Sequence, residues 1–299
     1  MPLDDFQKSV LRTLMPLRSP GSVFAGGTVI QQHGFRLSDD QDIFHDAGED
    51  VIAIAERDVA ELRKRGFDVS VGRAHEGLVE AVVARGNEGR TKLQWVEAGS
   101  WHFFSPVPDP EFGWRLHMAD LAVNKALAAG GRKQVRDYVD LFMIHRHVMP
   151  LWSVLWAAPG KDDAWSPLSL AEKIAMTNGF RQADIDEAVL ATVDISAAEV
   201  GRTVRAAIEE AMEVFQRLPD DTAGCLFVDE EGGVVTDATA VLSGVPGIRG
   251  MGAAKGGAWP SGPGIDYALI QRVIEAFGWE GSNPRPGHDP GSPSEPGRR

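Results

Sequence analysis

One stretch near the start limits the architecture open to this sequence more than any other. Ser22-Val23-Phe24-Ala25 reads as a strand that stops at Gly26-Gly27. Thr28 to His33 reads as a helix ended by Gly34, and Asp39 to His45 alternates acidic and apolar residues as a second strand does. Side chains two apart on a strand leave the same face, so Asp40 and Asp42 stand side by side. Neighbouring carboxylates repel, and a hard divalent cation that takes oxygen ligands from both relieves the repulsion. A solvated strand end beside a turn carries the same acidic pair, so the pair alone decides nothing. The glycines supply the second half of the argument. They let a polyphosphate approach the backbone, and the N–H groups at the start of the next helix attract anions. A lone Gly-Gly is more often a plain turn; at this separation from the acidic pair it points to a place where triphosphate and metal meet.

The rest of the chain supplies a scaffold for such a site. Glu49 to Arg65 has helical apolar spacing, with Gly66 just past its end. Three strand-like runs follow, Phe67 to Val71, Leu78 to Ala84 and Thr91 to Val96. From His117 onward helices dominate: Met118 to Ala129, Lys133 to Val148, Leu168 to Met176, Gln182 to Thr192 and Ser196 to Leu218. A small hairpin is expected between Cys225–Val228 and Val234–Thr236, a loop over Gly244 to Gly264, and a last helix over Tyr267 to Phe277. The expected class is α+β: a mixed sheet flanked by helices over 1–150, a mainly helical region with the hairpin over 151–280, and a disordered polar tail over 281–299.

Composition excludes several alternatives. A net charge of −13 argues against a surface that holds nucleic acid broadly, although Arg115 to Arg146 is locally basic and suits an anionic substrate. The single Cys225 offers neither an internal disulfide nor a zinc cluster, in keeping with a reducing cytoplasm. The first helix lacks the continuous apolar stretch of a signal peptide, and no run is apolar for long enough to span a bilayer. His145 and His147 do not face one another on a helix, and the glycines around Gly247-Ile248-Arg249-Gly250 lack P-loop spacing, so neither is read as a site.

The run FAGGTVIQQHGFRLSDDQDIFHD, with its Gly-Gly and its Arg-x-Ser-x-Asp-x-Asp, resembles the first motif of the AbiEii/AbiGii-type nucleotidyltransferase toxins. HMADLAVNKALAAGGRKQVRDYVDLFMI resembles their later motif, a helix presenting a lysine followed by Arg-Asp-x-x-Asp-Leu. Together they bracket residues 20 to 148. The resemblance implies the minimal nucleotidyltransferase fold, a nucleoside triphosphate as donor and Mg2+ or Mn2+. It implies that Gly26, Gly27 and Thr28 face phosphate, that Asp40 and Asp42 hold metal, that Lys125 and Arg132 contact the nucleotide, and that Asp137 is a catalytic or orienting acid. It suggests transfer RNA or protein as acceptor and a toxin of a toxin–antitoxin or phage-defence pair with a separately encoded antitoxin. Taken alone, Lys125 is equally a surface lysine, and Asp137 and Asp140 an ordinary helix salt-bridge set.

The sequence also departs from the pattern. Nucleotidyltransferases add a third acid from a later strand, and in Thr91 to Glu97 the face shared with Lys92 and Val96 carries Gln94, whereas Glu97 lies on the other face. Three outcomes follow: a substrate-supplied base, recruitment of Glu97, or a noncatalytic nucleotide-binding module. A metal phosphohydrolase is a further reading.

Overall fold

The protein was analysed as a computed structural model, which describes residues 3–31, 36–38, 40–189, 191 and 194–257. In chain order the helices are α1 (Asp5–Leu14), α2 (Gly26–Ile30), α3 (Val51–Lys64), α4 (Met118–Gly131), α5 (Val135–His147), α6 (Leu151–Ala157), α7 (Pro167–Thr177), α8 (Gln182–Ala188), α9 (Ala197–Phe215) and α10 (Ala238–Leu242). The strands are β1 (Ser22–Ala25), β2 (Asp40–His45), β3 (Asp68–His75), β4 (Leu78–Ala84), β5 (Arg90–Glu97), β6 (Trp101–His102), β7 (Val107–Asp109), β8 (Gly113–Arg115), β9 (Cys225–Val228), β10 (Arg249–Gly252) and β11 (Ala254–Lys255).

Seven strands form one mixed sheet in the order β3-β4-β5-β2-β1-β8-β7. The central strand β2 is antiparallel to β1 and parallel to β5, in a register that sets Asp42 opposite both Ala25 and Gln94. Burial alternates along β2, β4 and β5, as the period-2 pattern requires. One face carries Ile43, Leu93, Trp95, Val79, Ala81 and Val83, all buried, and packs under α1 and α3. The opposite face carries Asp40, Asp42, Phe44, Gln94 and Val96, and α2, α4 and α5 close over it. A one-residue slip of β2 would bury both aspartates in the apolar layer, so the hydrophobic pattern that fixes the register also places the acids.

The α+β class with a mixed sheet flanked by helices is borne out, and each of the five predicted helices from Met118 to Leu218 has an observed counterpart. Helices α6, α7 and α9 pack on α4 and α5, so the later helices share one core with those that cover the sheet. The expected hairpin is corrected. Cys225–Val228 pairs in register with Arg249–Gly252, and the expected partner run keeps an antiparallel bridge from Val234 to Val228 and a bond from the Val235 N–H to the Phe227 carbonyl without forming a strand. That places strands β10 and β11 inside the stretch expected to be loop; Arg249-Gly250-Met251-Gly252 has no apolar alternation to announce a strand. The helix expected to 192 ends at Ala188. Strands β7 and β8 and helix α6 were not foreseen: the two strands are three residues each, and α6 is apolar on all sides, which erases the amphipathic signal. The helix end at His33-Gly34, the helix Tyr267 to Phe277 and the tail lie outside the described residues. No helix among the described residues is long and apolar enough to cross a membrane.

Candidate active site

The sequence brings the glycine bend and the acidic pair together through one hairpin. At the end of β1 the chain turns at Gly26 with φ +70°, a conformation that costs an L side chain strain, and enters α2. The Asp42 carboxylate lies so close against Gly26 that an added β-carbon would overlap it. At Gly27 a β-carbon would come within 2.6 Å of the Arg36 guanidinium. Ala25, at the helix N-cap, gives no side-chain partner to the N–H groups of the first turn.

Over this bend lies a cavity of ≈ 440 Å³ between the sheet and α4. Gly26, Gly27, Asp40, Asp42, Lys125 and Arg132 all line it, so six of the eight residues singled out in the sequence meet at one place. Thr28 does not. Its side chain is 1% exposed and its hydroxyl donates to the Asp40 carbonyl at 2.5 Å, which ties α2 to β2 and leaves only the backbone N–H for an anion. Asp137 does not line the cavity either. It is fully buried, accepting from Lys125 Nζ at 3.0 Å and from Arg132 Nε at 2.9 Å, which is an orienting position behind the cavity wall.

Lys125 is set differently from a surface lysine. It is 8% exposed, and its ammonium sits 3.0 Å from both Asp137 Oδ1 and Asp140 Oδ2. Burial works to lower its pKa, but Asp140 and Asp137 outweigh that and hold it above the ordinary value, so the charge is fixed. Asp140 in turn takes two parallel hydrogen bonds from Arg36, both 2.8 Å, and one from Gln31 at 2.6 Å. Against the cost of its burial, Lys125 and Arg36 hold the Asp140 carboxyl down at about 2. Arg36 and Asp140 were not among the chosen site residues. The signals were present: Arg36 opens the Arg-x-Ser-x-Asp-x-Asp run, and Asp140 falls three positions after Asp137.

The acidic pair has the opposite electrostatics. Burial raises Asp42 to about 6, Lys125 pulls it back, and Asp40 pushes it up again. Asp40 is partly exposed and lies 3.3 Å from Arg136. A carboxylate forced toward neutrality beside a second carboxylate is the donor set that a hard cation relieves, so Asp40 and Asp42 fit a divalent ion. No group of three or more acidic, histidine or cysteine ligands occurs among the described residues, His145 and His147 included. Remaining ligands would therefore come from phosphate oxygens and water, the usual arrangement for magnesium.

The third acid is absent from its expected strand position. Gln94 stands opposite Asp42 on β5, and its amide donates to Glu80, which is one strand further out on the same face and also pairs with Lys92 at 2.8 Å. Glu97 accepts from the Gly48 N–H at 3.1 Å on the other side of the sheet and takes no part.

This arrangement was compared with known proteins. No family model and no curated relative matches the sequence. Among solved structures, MenT4, a nucleotidyltransferase toxin from Mycobacterium tuberculosis H37Rv, superposes with a TM-score of 0.52 at 17% identity, covering 72% of this chain and 83% of that one. The chain has the nucleotidyltransferase fold. JHP933 from Helicobacter pylori gives a TM-score of 0.45 at 13% identity over 70% of this chain and 90% of that one. A candidate nucleotidyltransferase from H. pylori gives 0.47 at 14% identity over 73% and 99%. The likeness to MenT4 meets the nucleotidyltransferase fold expected from the sequence.

Proposed function

We propose that this protein is a divalent-metal-dependent nucleotidyltransferase that moves a nucleotide from a nucleoside triphosphate to an RNA or protein acceptor. The observation that carries the reading is the seating of the Asp42 carboxylate against Gly26 at the mouth of a cavity whose opposite wall is a charge-fixed lysine. Asp40 and Asp42 would hold Mg2+ or Mn2+, which when bound screens the phosphates and stabilises charge on the leaving pyrophosphate. The uncapped N–H groups after Gly26 and the Lys125 ammonium bind the same phosphates from two sides. Asp137 and Asp140 keep Lys125 charged and in place. Arg132, half exposed and anchored on Asp137, and Arg136 complete the positive rim. With Gln94 in the third position and Glu97 turned away, the acceptor's own chemistry or water takes up the proton released on attack at the α-phosphate.

Transfer RNA as acceptor and a toxin role in a toxin–antitoxin or phage-defence pair, held in check by an antitoxin, extend this reading. They are supported by the motif resemblance and by the toxin among the fold's neighbours. Gln94 favours one second reading, a nucleotide-binding module without catalysis.

The test is incubation of the full chain with labelled triphosphates, Mg2+ or Mn2+, and total RNA or total protein. Label on an acceptor, abolished by Asp42→Asn, is the expected result. Saturable triphosphate binding with no labelled acceptor selects the binding module. Release of inorganic phosphate alone marks a phosphohydrolase.

A further inference from the structure

Two side-chain amides face into the cavity, and in each the charged partner behind it decides which end points inward. The NH2 of Gln94 is directed at the Glu80 carboxylate, which can only accept, so its carbonyl oxygen is left to the cavity. Asn124 on α4 is the reverse. Its Oδ1 accepts from Lys161 Nζ at 3.0 Å, and because an ammonium can only donate, the orientation carries no ambiguity. The Asn124 Nδ2 has no protein partner among the described residues. Lys161 is itself fixed: its side chain is 5% exposed and its other donors go to Asp120 Oδ1 at 2.6 Å and the Asp120 carbonyl at 3.4 Å. Asp120 in turn accepts from the backbone N–H groups of Phe103 and Phe104 at 2.9 and 3.0 Å. Thus a lysine from the region after α6, beyond the sheet domain, reaches back to orient one amide in the cavity wall.

The cavity is also graded along its length. At one end Asp40, Arg136 and Arg132 gather charge. At the other, where β5 finishes, Phe44 and Val96 pair across the sheet, and Leu121 of α4 lines the same cavity. Asn124 lies one helical turn after Leu121 and next to Lys125, between the apolar end and the phosphate-binding groups. An apolar patch with one fixed donor and, across from it, one fixed acceptor is what a nucleobase requires for stacking and edge recognition.

We propose that Asn124 is a nucleoside-contacting residue that donates its Nδ2–H to the base, and that Lys161 is the positioning residue that holds it in that orientation. The inference rests on the nucleotidyl-transfer reading above and assigns the base end of the same cavity. The test is calorimetric titration of the full chain, with Mg2+, against the four nucleoside triphosphates and against inorganic tripolyphosphate. The wild type is expected to bind the four with unequal affinity. Asn124→Asp replaces the donor by an acceptor of the same shape and adds an ion pair to Lys161. It is expected to weaken the tightest triphosphate by about tenfold and to leave tripolyphosphate within about twofold. Asn124→Ala should give the same split. Lys161→Met should level the four affinities while sparing tripolyphosphate, with recovery in Lys161→Arg; a merely structural lysine would not separate the two ligands. Equal weakening of triphosphate and tripolyphosphate in the Asn124 variants would make Asn124 a phosphate contact and overturn the proposal, as would no change in either. A wild type that binds neither ligand sinks the nucleotidyl-transfer reading itself; triphosphate binding with unaltered Asn124 variants sinks only this inference.

Discussion

The carboxylate of Asp42 occupies the space that a side chain on Gly26 would need. Hairpin register brings the two together, because Asp42 pairs with Ala25, the residue before the bend. Gly26→Ala therefore has two costs, a left-handed φ and displacement of the acid. Loss of about 1–3 kcal/mol of stability is expected, together with loss of Mn2+ affinity of about tenfold or more. Denaturant melts with and without Mn2+ check both.

Thr28 separates a structural from a phosphate-facing role. Its hydroxyl is buried and committed to the Asp40 carbonyl. Thr28→Val should cost about 1–2 kcal/mol and leave triphosphate affinity nearly unchanged at a temperature where both proteins are folded. A large affinity loss without a stability loss would show that the hydroxyl meets the ligand after all.

Lys125 joins two buried carboxylates, so its removal leaves Asp137 to Arg132 alone and Asp140 to Arg36 and Gln31. Lys125→Met is expected to lower stability by about 3–5 kcal/mol and to abolish nucleotide transfer. Arg132→Ala touches the same Asp137 from a half-exposed position and should weaken triphosphate binding with a much smaller change in melting temperature. Comparing the two melts against the two affinities distinguishes the inner cation from the outer one.

Asp42 and Asp140 make opposite predictions for pH. Asp42 is raised from 3.8 to about 6, so the folded state holds its proton longer than the unfolded chain does. Its contribution makes the metal-free protein lose stability as pH rises from about 4 to 6, on the order of 3 kcal/mol in all. Divalent metal should reverse that slope, and its affinity should climb through pH 6. Asp140 is lowered from 3.8 to about 2, so its stabilisation is complete above 3.8 and is lost as pH falls toward 2. Urea melts at several pH values, with and without Mg2+, resolve both.

Gln94 offers a gain-of-ligand experiment. Gln94→Glu would set a third carboxylate opposite Asp42 and beside Glu80. The metal-free variant should melt lower than the wild type through like-charge repulsion, and its rise on adding Mn2+ should be larger. Thermal melts across a metal titration measure the difference.

Much of the site was legible because its signals are local. The alternation around Asp40 and Asp42 and the glycine bend are short-range patterns, and strand periodicity converts them into shared faces. What escaped depends on partners distant in the chain. Nothing near Asp140 announces Arg36, 104 residues earlier, and nothing near Asn124 announces Lys161. The burial of Lys125 was hidden for the same reason: helical spacing shows which residues share a face but not that Asp137 and Asp140 on the next helix would neutralise it. The resemblance assigned Thr28 to phosphate; the bond from its hydroxyl to the Asp40 carbonyl, 12 residues later, has no local signal in the sequence. Pairing of β9 with β10 escaped because glycine carries no hydrophobic pattern.

The bidentate clasp between Arg36 and Asp140 also sets an order in time. A ribosome releases the glycine bend and both acids long before it releases the second helix of the lysine cluster. A nascent chain thus carries the acidic pair with no fixed counter-charge across from it. The cavity would therefore take its final charge balance only when α5 has emerged and docked.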